Sequence, residues 1–263
     1  MNQNSNDNNP PALDNRRDVL KRSLLLASAA TAFPLVGNAF QASAAPAPLA
    51  PEIEPNQVIL FQGDSITDAH RDRKRAGAND PAALGNGYPM FAAGGILASH
   101  PSANLKVYNR GISGNKVPDL DNRWEKDCID LKPNVVSILI GVNDIWHKMA
   151  GRYDGTVETY RDGYAALIER TQKALPDTRI VVCEPFVLRC GAVKDDWFPE
   201  FDQRREAALE VADRFKLTVV PFQTMFDEAI KTTEPAYWAA DGVHPTIAGH
   251  ALMATKWREV VGI

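Results

Sequence analysis

Val58-Ile59-Leu60-Phe61-Gln62-Gly63-Asp64-Ser65-Ile66-Thr67 is the stretch from which the rest of the chain is read. Four consecutive apolar residues followed by a glycine-flanked serine describe a buried strand that ends in a tight turn. The serine is then left at the strand's C-terminal end. With 57–61 as the first strand, four more short apolar runs share its character: 105–108, 135–140, 179–183 and 217–220. Helical spacing occupies 88–99, 117–130, 156–175 and 199–215, then a segment around 224–232 and another over 246–261. Continuous apolar strands alternating with helices imply an α/β fold, a parallel sheet covered on both faces. Right-handed crossovers bring the strand C-termini to one edge, where open sheets of this kind bind ligands. There is no internal repeat.

Composition narrows the function classes. The chain has 29 basic and 33 acidic residues, a formal charge of −4. A mildly acidic chain lacks the concentrated basic face that nucleic-acid binding requires. Three cysteines, Cys128, Cys183 and Cys190, form no C-x-x-C pair, so they read as buried thiols rather than a disulfide scaffold or zinc knuckle, with a Cys183–Cys190 bridge as the alternative. No His/Cys/Glu pattern suggests a metal, and Gly111-Ile112-Ser113-Gly114-Asn115-Lys116 lacks phosphate-loop spacing, so no cofactor is expected.

The N-terminus reads as an address. Arg16-Arg17 precede a weakly apolar stretch over 24–40, and Ala42-Ser43-Ala44 gives a small-x-small cleavage pattern, with a second after Gly37-Asn38-Ala39. Residues 1–44 are therefore expected to be a twin-arginine-type signal peptide directing export to the periplasm or beyond. Pro34 and Gly37 interrupt the apolar stretch, so no stable membrane span is expected once the signal is removed. Residues 45–55, with four prolines, read as a tether, leaving 56–263 as one domain.

Four polar blocks fall where this fold gathers its ligands. Ser65 follows the first strand. Asn109-Arg110-Gly111-Ile112-Ser113-Gly114-Asn115 follows the second, and Gly141-Val142-Asn143-Asp144 the third. Asp241-Gly242-Val243-His244-Pro245 lies in the loop before the last helix. A serine hydroxyl needs a base within hydrogen-bond reach to act as a nucleophile. His244 suits that role as a neutral imidazole, with Asp241 fixing its tautomer. Taken singly, His244 reads as a helix-start histidine and Asp241 as a cap. Taken with Ser65 and the order of the blocks, they read as machinery for acyl transfer.

These blocks, in this order, resemble those of the SGNH (GDSL-type) serine hydrolases. The longer wording Gly63-Asp64-Ser65-Ile66-Thr67-Asp68, Gly111-Ile112-Ser113-Gly114-Asn115 and His244-Pro245-Thr246-Ile247-Ala248-Gly249-His250 is similar to the acetylxylan-esterase-like branch. The resemblance implies a three-layer α/β/α sandwich with a five-stranded parallel sheet, flavodoxin-like. It implies an oxyanion hole made by the backbone N–H groups of Ser65 and Gly111 and the side-chain amide of Asn143. It also implies an exported esterase that takes short acyl groups, acetyl above all, from carbohydrate or another small ester, without cofactor or metal. A homo-oligomer is part of the same expectation. The alternatives are a lipase, lysophospholipase or thioesterase using the same residues, and a non-catalytic carbohydrate-binding protein on the same fold. Asp64, Trp146 and Trp238 are the candidates for lining the substrate pocket. Ala240 departs from the branch, where a larger aromatic is expected, and Trp238 is the residue that would compensate. The run His70-Arg71-Asp72-Arg73-Lys74-Arg75 reads as a solvated loop, with contact to acidic substrate groups as the alternative. His250 reads as a structural hydrogen-bonder.

Overall fold

The computed structural model describes Met1 and residues 53–263. The expected signal at 1–44 and most of the tether at 45–55 lie outside the described residues. Contacts divide the chain after Ala47, and every element belongs to the unit Pro48–Ile263.

Five strands, β1 (Val58–Gly63), β2 (Lys106–Asn109), β3 (Val135–Leu139), β4 (Arg179–Cys183) and β5 (Thr218–Val220), pair in the order β2-β1-β3-β4-β5. Every pairing is parallel. Ten α-helices accompany them among the described residues: α1 (Ser65–Asp68), α2 (Pro81–Leu84), α3 (Tyr88–Ser99), α4 (Val117–Asp127), α5 (Val142–Met149), α6 (Val157–Ala174), α7 (Glu200–Arg214), α8 (Phe222–Ala229), α9 (Pro235–Trp238) and α10 (Ile247–Val261).

The expected strands and long helices are all present, with shifted ends. β1 runs through Gln62 and Gly63, which pair with Ile138 and Leu139 of β3. A buried glutamine is tolerated there because its amide is satisfied: Nε2 donates to Asp127 O at 2.7 Å and Oε1 accepts from Arg123 at 3.0 Å. The helix expected over 117–130 stops at Asp127, and Ile129–Leu131 forms a separate 3₁₀ turn.

The period of two along each strand sorts the core into two layers. Ile59, Phe61, Leu139, Val181 and Cys183 face α3, α8 and α10, and join Tyr88, Ile96, Phe222 and Trp257. Leu60, Val136, Ile138, Ile180 and Val182 face the other way, onto α4, α6 and α7, with Trp124, Tyr164, Leu167 and Val211. Each such side chain stabilises the fold by ~1.5–3 kcal/mol. Ser137, the polar residue in the first layer, is satisfied by the Trp257 indole N–H at 2.8 Å. The result is the α/β/α sandwich, with the C-terminal ends of β1, β2 and β3 side by side.

Candidate active site

β1 ends by handing the chain to α1. Asp64 caps that helix, its Oδ1 accepting the Ile66 N–H at 3.0 Å. Ser65 is the first helical residue, half-buried at the strand end. Its hydroxyl lies 2.8 Å from His244 Nε2, across 179 positions of sequence. His244 Nδ1 lies 2.7 Å from Asp241 Oδ2. Asp241 Oδ1 accepts the backbone N–H groups of Val243 at 2.9 Å and His244 at 2.7 Å. Partial burial works to raise the Asp241 pKa, but the His244 ring and these two amides hold the carboxyl below its ordinary value. The three side chains thus form one continuous hydrogen-bonded row.

The loop carrying Asp241 and His244 is gripped from the side. Leu188 N–H donates to Gly242 O at 2.7 Å, Ala192 N–H to Asp241 O at 2.8 Å, and Cys190 Sγ to Ala239 O at 3.3 Å. Gly242 has φ +83°, and an added Cβ would run into the carbonyl oxygens of Leu188 and Cys190. Glycine is required there on both counts. Cys190 is a free thiol, as are Cys128 and Cys183, so no bridge joins Cys183 to Cys190. Burial pushes the Cys128 and Cys183 thiols up to about 12.

Of the three expected oxyanion donors, one is corrected. Gly111 N–H already donates to Asn109 Oδ1 at 2.8 Å, and a Cβ at Gly111 would collide with the backbone of Thr67 and Asp68. Gly111 therefore serves close packing, and its amide is not available. The next glycine, Gly114, is half-exposed on the same loop, and its N–H makes no hydrogen bond among the described residues. The Ser65 N–H is likewise uncommitted. Asn143 sits in the first turn of α5, a helix absent from the sequence reading, and its amide donates to Asn115 O at 3.2 Å, leaving a second N–H free.

Two residues without any role in the sequence reading hold this rim together. Asn109 Nδ2 donates to Thr67 O at 2.6 Å and to Leu84 O at 2.8 Å. Arg123 reaches Arg110 O at 2.7 Å, Asn115 Oδ1 at 2.8 Å, Gly63 O at 3.2 Å and Asp127 Oδ2 at 3.0 Å. One guanidinium so ties the end of β1, the loop after β2 and α4. Arginine's rigid fork of donors suits that task. Only the contact partners, far apart in sequence, reveal it.

The pocket candidates divide. Trp146 flanks the imidazole, its ring 5.8 Å from that of His244, and rests on buried Trp197. Asp64 does not line the pocket. It is buried behind Ser65 with Oδ2 unpartnered, and burial pushes its carboxyl up to about 7. Asp144, after β3, is buried likewise and is also pushed up to about 7 by burial. Trp238 faces elsewhere, lining a groove with Pro221, Met225 and Leu252, and does not replace the aromatic missing at Ala240. His250 is the expected structural partner: Nδ1 accepts the Tyr88 N–H at 3.1 Å, and burial pushes its pKa down to about 4.

A cleft of about 520 Å³ opens beside Ser65 and His244. His70, Arg71, Arg73, Asn86, Ser113 and Ile247 line it. The run from His70 is therefore not simply a solvated loop, because part of it forms the wall of the site. Among the described residues there is no cluster of three or more His, Cys, Asp or Glu side chains that could hold a metal ion, and no helix is long and apolar enough to cross a membrane.

Comparison with known proteins agrees with this architecture. Residues 61–252 match the GDSL-like Lipase/Acylhydrolase family. The acetylxylan esterase of Geobacillus stearothermophilus is 36% identical over 215 residues, covering 80% of this chain and 96% of that protein. Among solved structures, a protein of Parabacteroides merdae described as a GDSL-like lipase superposes with a TM-score of 0.79 at 47% identity, over 82% of this chain and 99% of its own. The structure of Axe2, an acetylxylan esterase from Geobacillus stearothermophilus, superposes with a TM-score of 0.72 at 34% identity, over 80% of this chain and 96% of its own.

Proposed function

The chain belongs to the GDSL-like lipase/acylhydrolase family, and on that premise we propose that this carboxylic ester hydrolase is a carbohydrate O-acetylesterase acting through Ser65, His244 and Asp241. The observation that carries the reading is the row Ser65 Oγ–His244 Nε2–His244 Nδ1–Asp241 Oδ2, with links of 2.8 and 2.7 Å, beside an open cleft. His244 takes the Ser65 proton as Oγ attacks the acetyl carbonyl carbon. Asp241, kept ionised by the donors around it, holds Nδ1–H in place and stabilises the imidazolium. The tetrahedral oxyanion is met by the uncommitted N–H groups of Ser65 and Gly114 and by the free amide N–H of Asn143. His244 then gives its proton to the departing sugar oxygen, leaving acetyl-Ser65. A water, deprotonated by His244, attacks that ester and releases acetate and the free hydroxyl.

Asp64 contributes by being poor at holding charge. A fully ionised carboxylate behind the nucleophile would oppose the forming oxyanion, and burial shifts it toward the neutral acid. Beside Ile66, Ala69, Pro245 and Ile247, the cleft presents Arg71, Arg73, Asn86 and Ser113, polar groups that suit a sugar alcohol. The relative that is an acetylxylan esterase supports the same substrate class. Residues 1–44 as an export signal would place the enzyme where polysaccharide is found.

The test is acetate release from acetylated xylan and xylo-oligosaccharides by the wild type and by Ser65→Ala. Loss of ~10³-fold or more in turnover with an unchanged melting temperature is expected. Retained activity in Ser65→Ala would sink the mechanism. A preference for long-acyl over acetyl nitrophenyl esters would make the enzyme a lipase or thioesterase instead.

A further inference from the structure

The cleft wall that follows Ser65 has a chemistry that acetyl transfer does not use. Arg71 is 8% exposed yet lines the cleft. Its backbone N–H is held by Asp68, and its Nε donates to Gly111 O at 2.7 Å, which fixes the plane of the guanidinium. Its two terminal nitrogens, Nη1 and Nη2, have no hydrogen-bond or ion-pair partner among the described residues. Arg71 lines the cleft and its two prongs keep access to it, so their donors are open to a ligand that enters.

Asp68, the carboxylate in the same wall, offsets part of that charge through space but makes no hydrogen bond to the two prongs. Its Oδ1 accepts the Arg71 backbone N–H at 3.2 Å, and its Oδ2 accepts Ser113 N–H at 3.0 Å and Ser113 Oγ at 3.3 Å. A second arginine, Arg73, stands at the mouth of the cleft, 55% exposed, with only a long 3.4 Å contact to Asp68. Across the rim, Lys116 and Arg152 bear on His147 and help to lower its pKa, after burial. Lys116 is itself paired with Asp119 at 2.6 Å, so Arg71 and Arg73 are the guanidinium groups that the cleft wall presents. A fixed guanidinium with two free parallel N–H groups matches a carboxylate in bidentate geometry.

From the unpartnered prongs of buried Arg71, with Arg73 above them in the wall beside Ser65, we propose that the preferred substrate is an O-acetylated saccharide bearing a carboxylate, a uronic acid. The inference rests on the esterase reading above and adds the charge of the sugar. The carboxylate docks on Arg71, and the acetyl group on a neighbouring hydroxyl is presented to Ser65. Neutral acetylated sugars offer those donors no charged partner.

The experiment compares kcat/KM for acetate release from O-acetylated galacturonic acid oligomers and from the same oligomers after carboxyl reduction to galactose. The wild type should favour the carboxylate form by ~10-fold or more, and added salt should shrink the margin. Arg71→Met should bring the ratio close to one, and Arg73→Met should lower it by a few-fold. Should Arg71→Met fail to fold, the wild type still decides: free galacturonate should inhibit hydrolysis of neutral nitrophenyl acetate at least ~10-fold more strongly than galactose. Acetate released from both oligomers at rates within twofold, or equal inhibition by the two sugars, overturns the uronic-acid inference and leaves the acetylesterase standing. No acetate from either oligomer or from acetylated xylan overturns the esterase reading itself.

Discussion

The two halves of the hydrogen-bonded row Ser65–His244–Asp241 are held in opposite ways. Ser65 stands on the sheet. The strand before it is buried, Asp64 behind it is 1% exposed, and the side chains of Asn109 and Arg123 bind the neighbouring segments with eight hydrogen bonds at most 3.2 Å long. Asp241 and His244 stand on a loop, with side chains 39% and 43% exposed. That loop touches no strand through its two functional side chains; its grip comes from the segment 188–192. Ser65 therefore inherits its position from the core, while His244 depends on one loop clasping another. Val243 anchors the loop in the core, but its functional side chains stand exposed, so local opening should begin on the loop side.

The most severe way to break this contrast is Asp241→Asn. It leaves the loop in place but can no longer dictate the imidazole tautomer, so turnover should fall ~10²–10⁴-fold while the melting temperature barely moves. Steady-state kinetics beside calorimetry check both halves. Asn143→Ala strikes the strand-end side instead. It should cost ~10²–10³ in kcat with little change in KM, since the lost donor acts on charge present only in the transition state. An unchanged kcat would remove Asn143 from the oxyanion site. Gly242→Ala tests the clasp. A side chain at φ +83° costs ~1–3 kcal/mol locally, and displacing the imidazole should cost ~10–10²-fold in kcat, with His244 still in its own loop. If Gly242→Ala lowered stability without touching kcat, the base would be fixed by something other than the clasp.

The smallest effect is read in stability. His250 joins α10 to the Tyr88 turn as a neutral ring, with a pKa pushed from 6.5 down to about 4 by burial and, in lesser part, by His244 and His70. The unfolded chain binds that proton first as pH falls. His250 therefore gives its full stability above about pH 6.5 and loses it between 6.5 and 4, by up to ~3 kcal/mol. His250→Asn keeps an acceptor for the Tyr88 N–H and cannot take up the proton. Its melting temperature should decline less over that window than the wild type's. Asp64 and Asp144 push the other way over about 4 to 7, since their neutral forms are the ones the fold favours, so the difference between the two proteins isolates the histidine.

The strand side was the more legible in sequence. Apolar runs of four to six residues have few alternatives to a buried parallel strand, and all five were found in order. The three polar blocks at the ends of β1, β2 and β3 followed from topology, and the fourth, at Asp241–Pro245, from its place in the loop before the last helix. What stayed hidden depends on contacts between distant segments. Gly111 and Gly114 share one loop and one residue type, and only the Asn109 side chain, bonded to the first, tells which amide is free. Trp238 and Trp146 were equal candidates until packing turned one toward Pro221 and the other toward His244. Arg71 looked solvated because its neighbours Asp72 to Arg75 are, whereas Gly111 O captures its Nε and draws it in. Helices α1, α2 and α9 are four residues long, too short to leave a periodic trace, and α5 was read as the loop of the Asn143 block.

The order β2-β1-β3 has one more result. From β1 the chain first departs to one flank for β2, then crosses back to the opposite flank for β3. The two departing connections diverge, and a crevice is left above the central strand by the wiring itself. Its floor, where Ser65 sits, belongs to the sheet, whereas each bank is drawn from a different stretch of chain. Either bank can be rewritten by insertion or substitution without disturbing the floor, so a new alcohol or acid partner is within reach of changes confined to one connection.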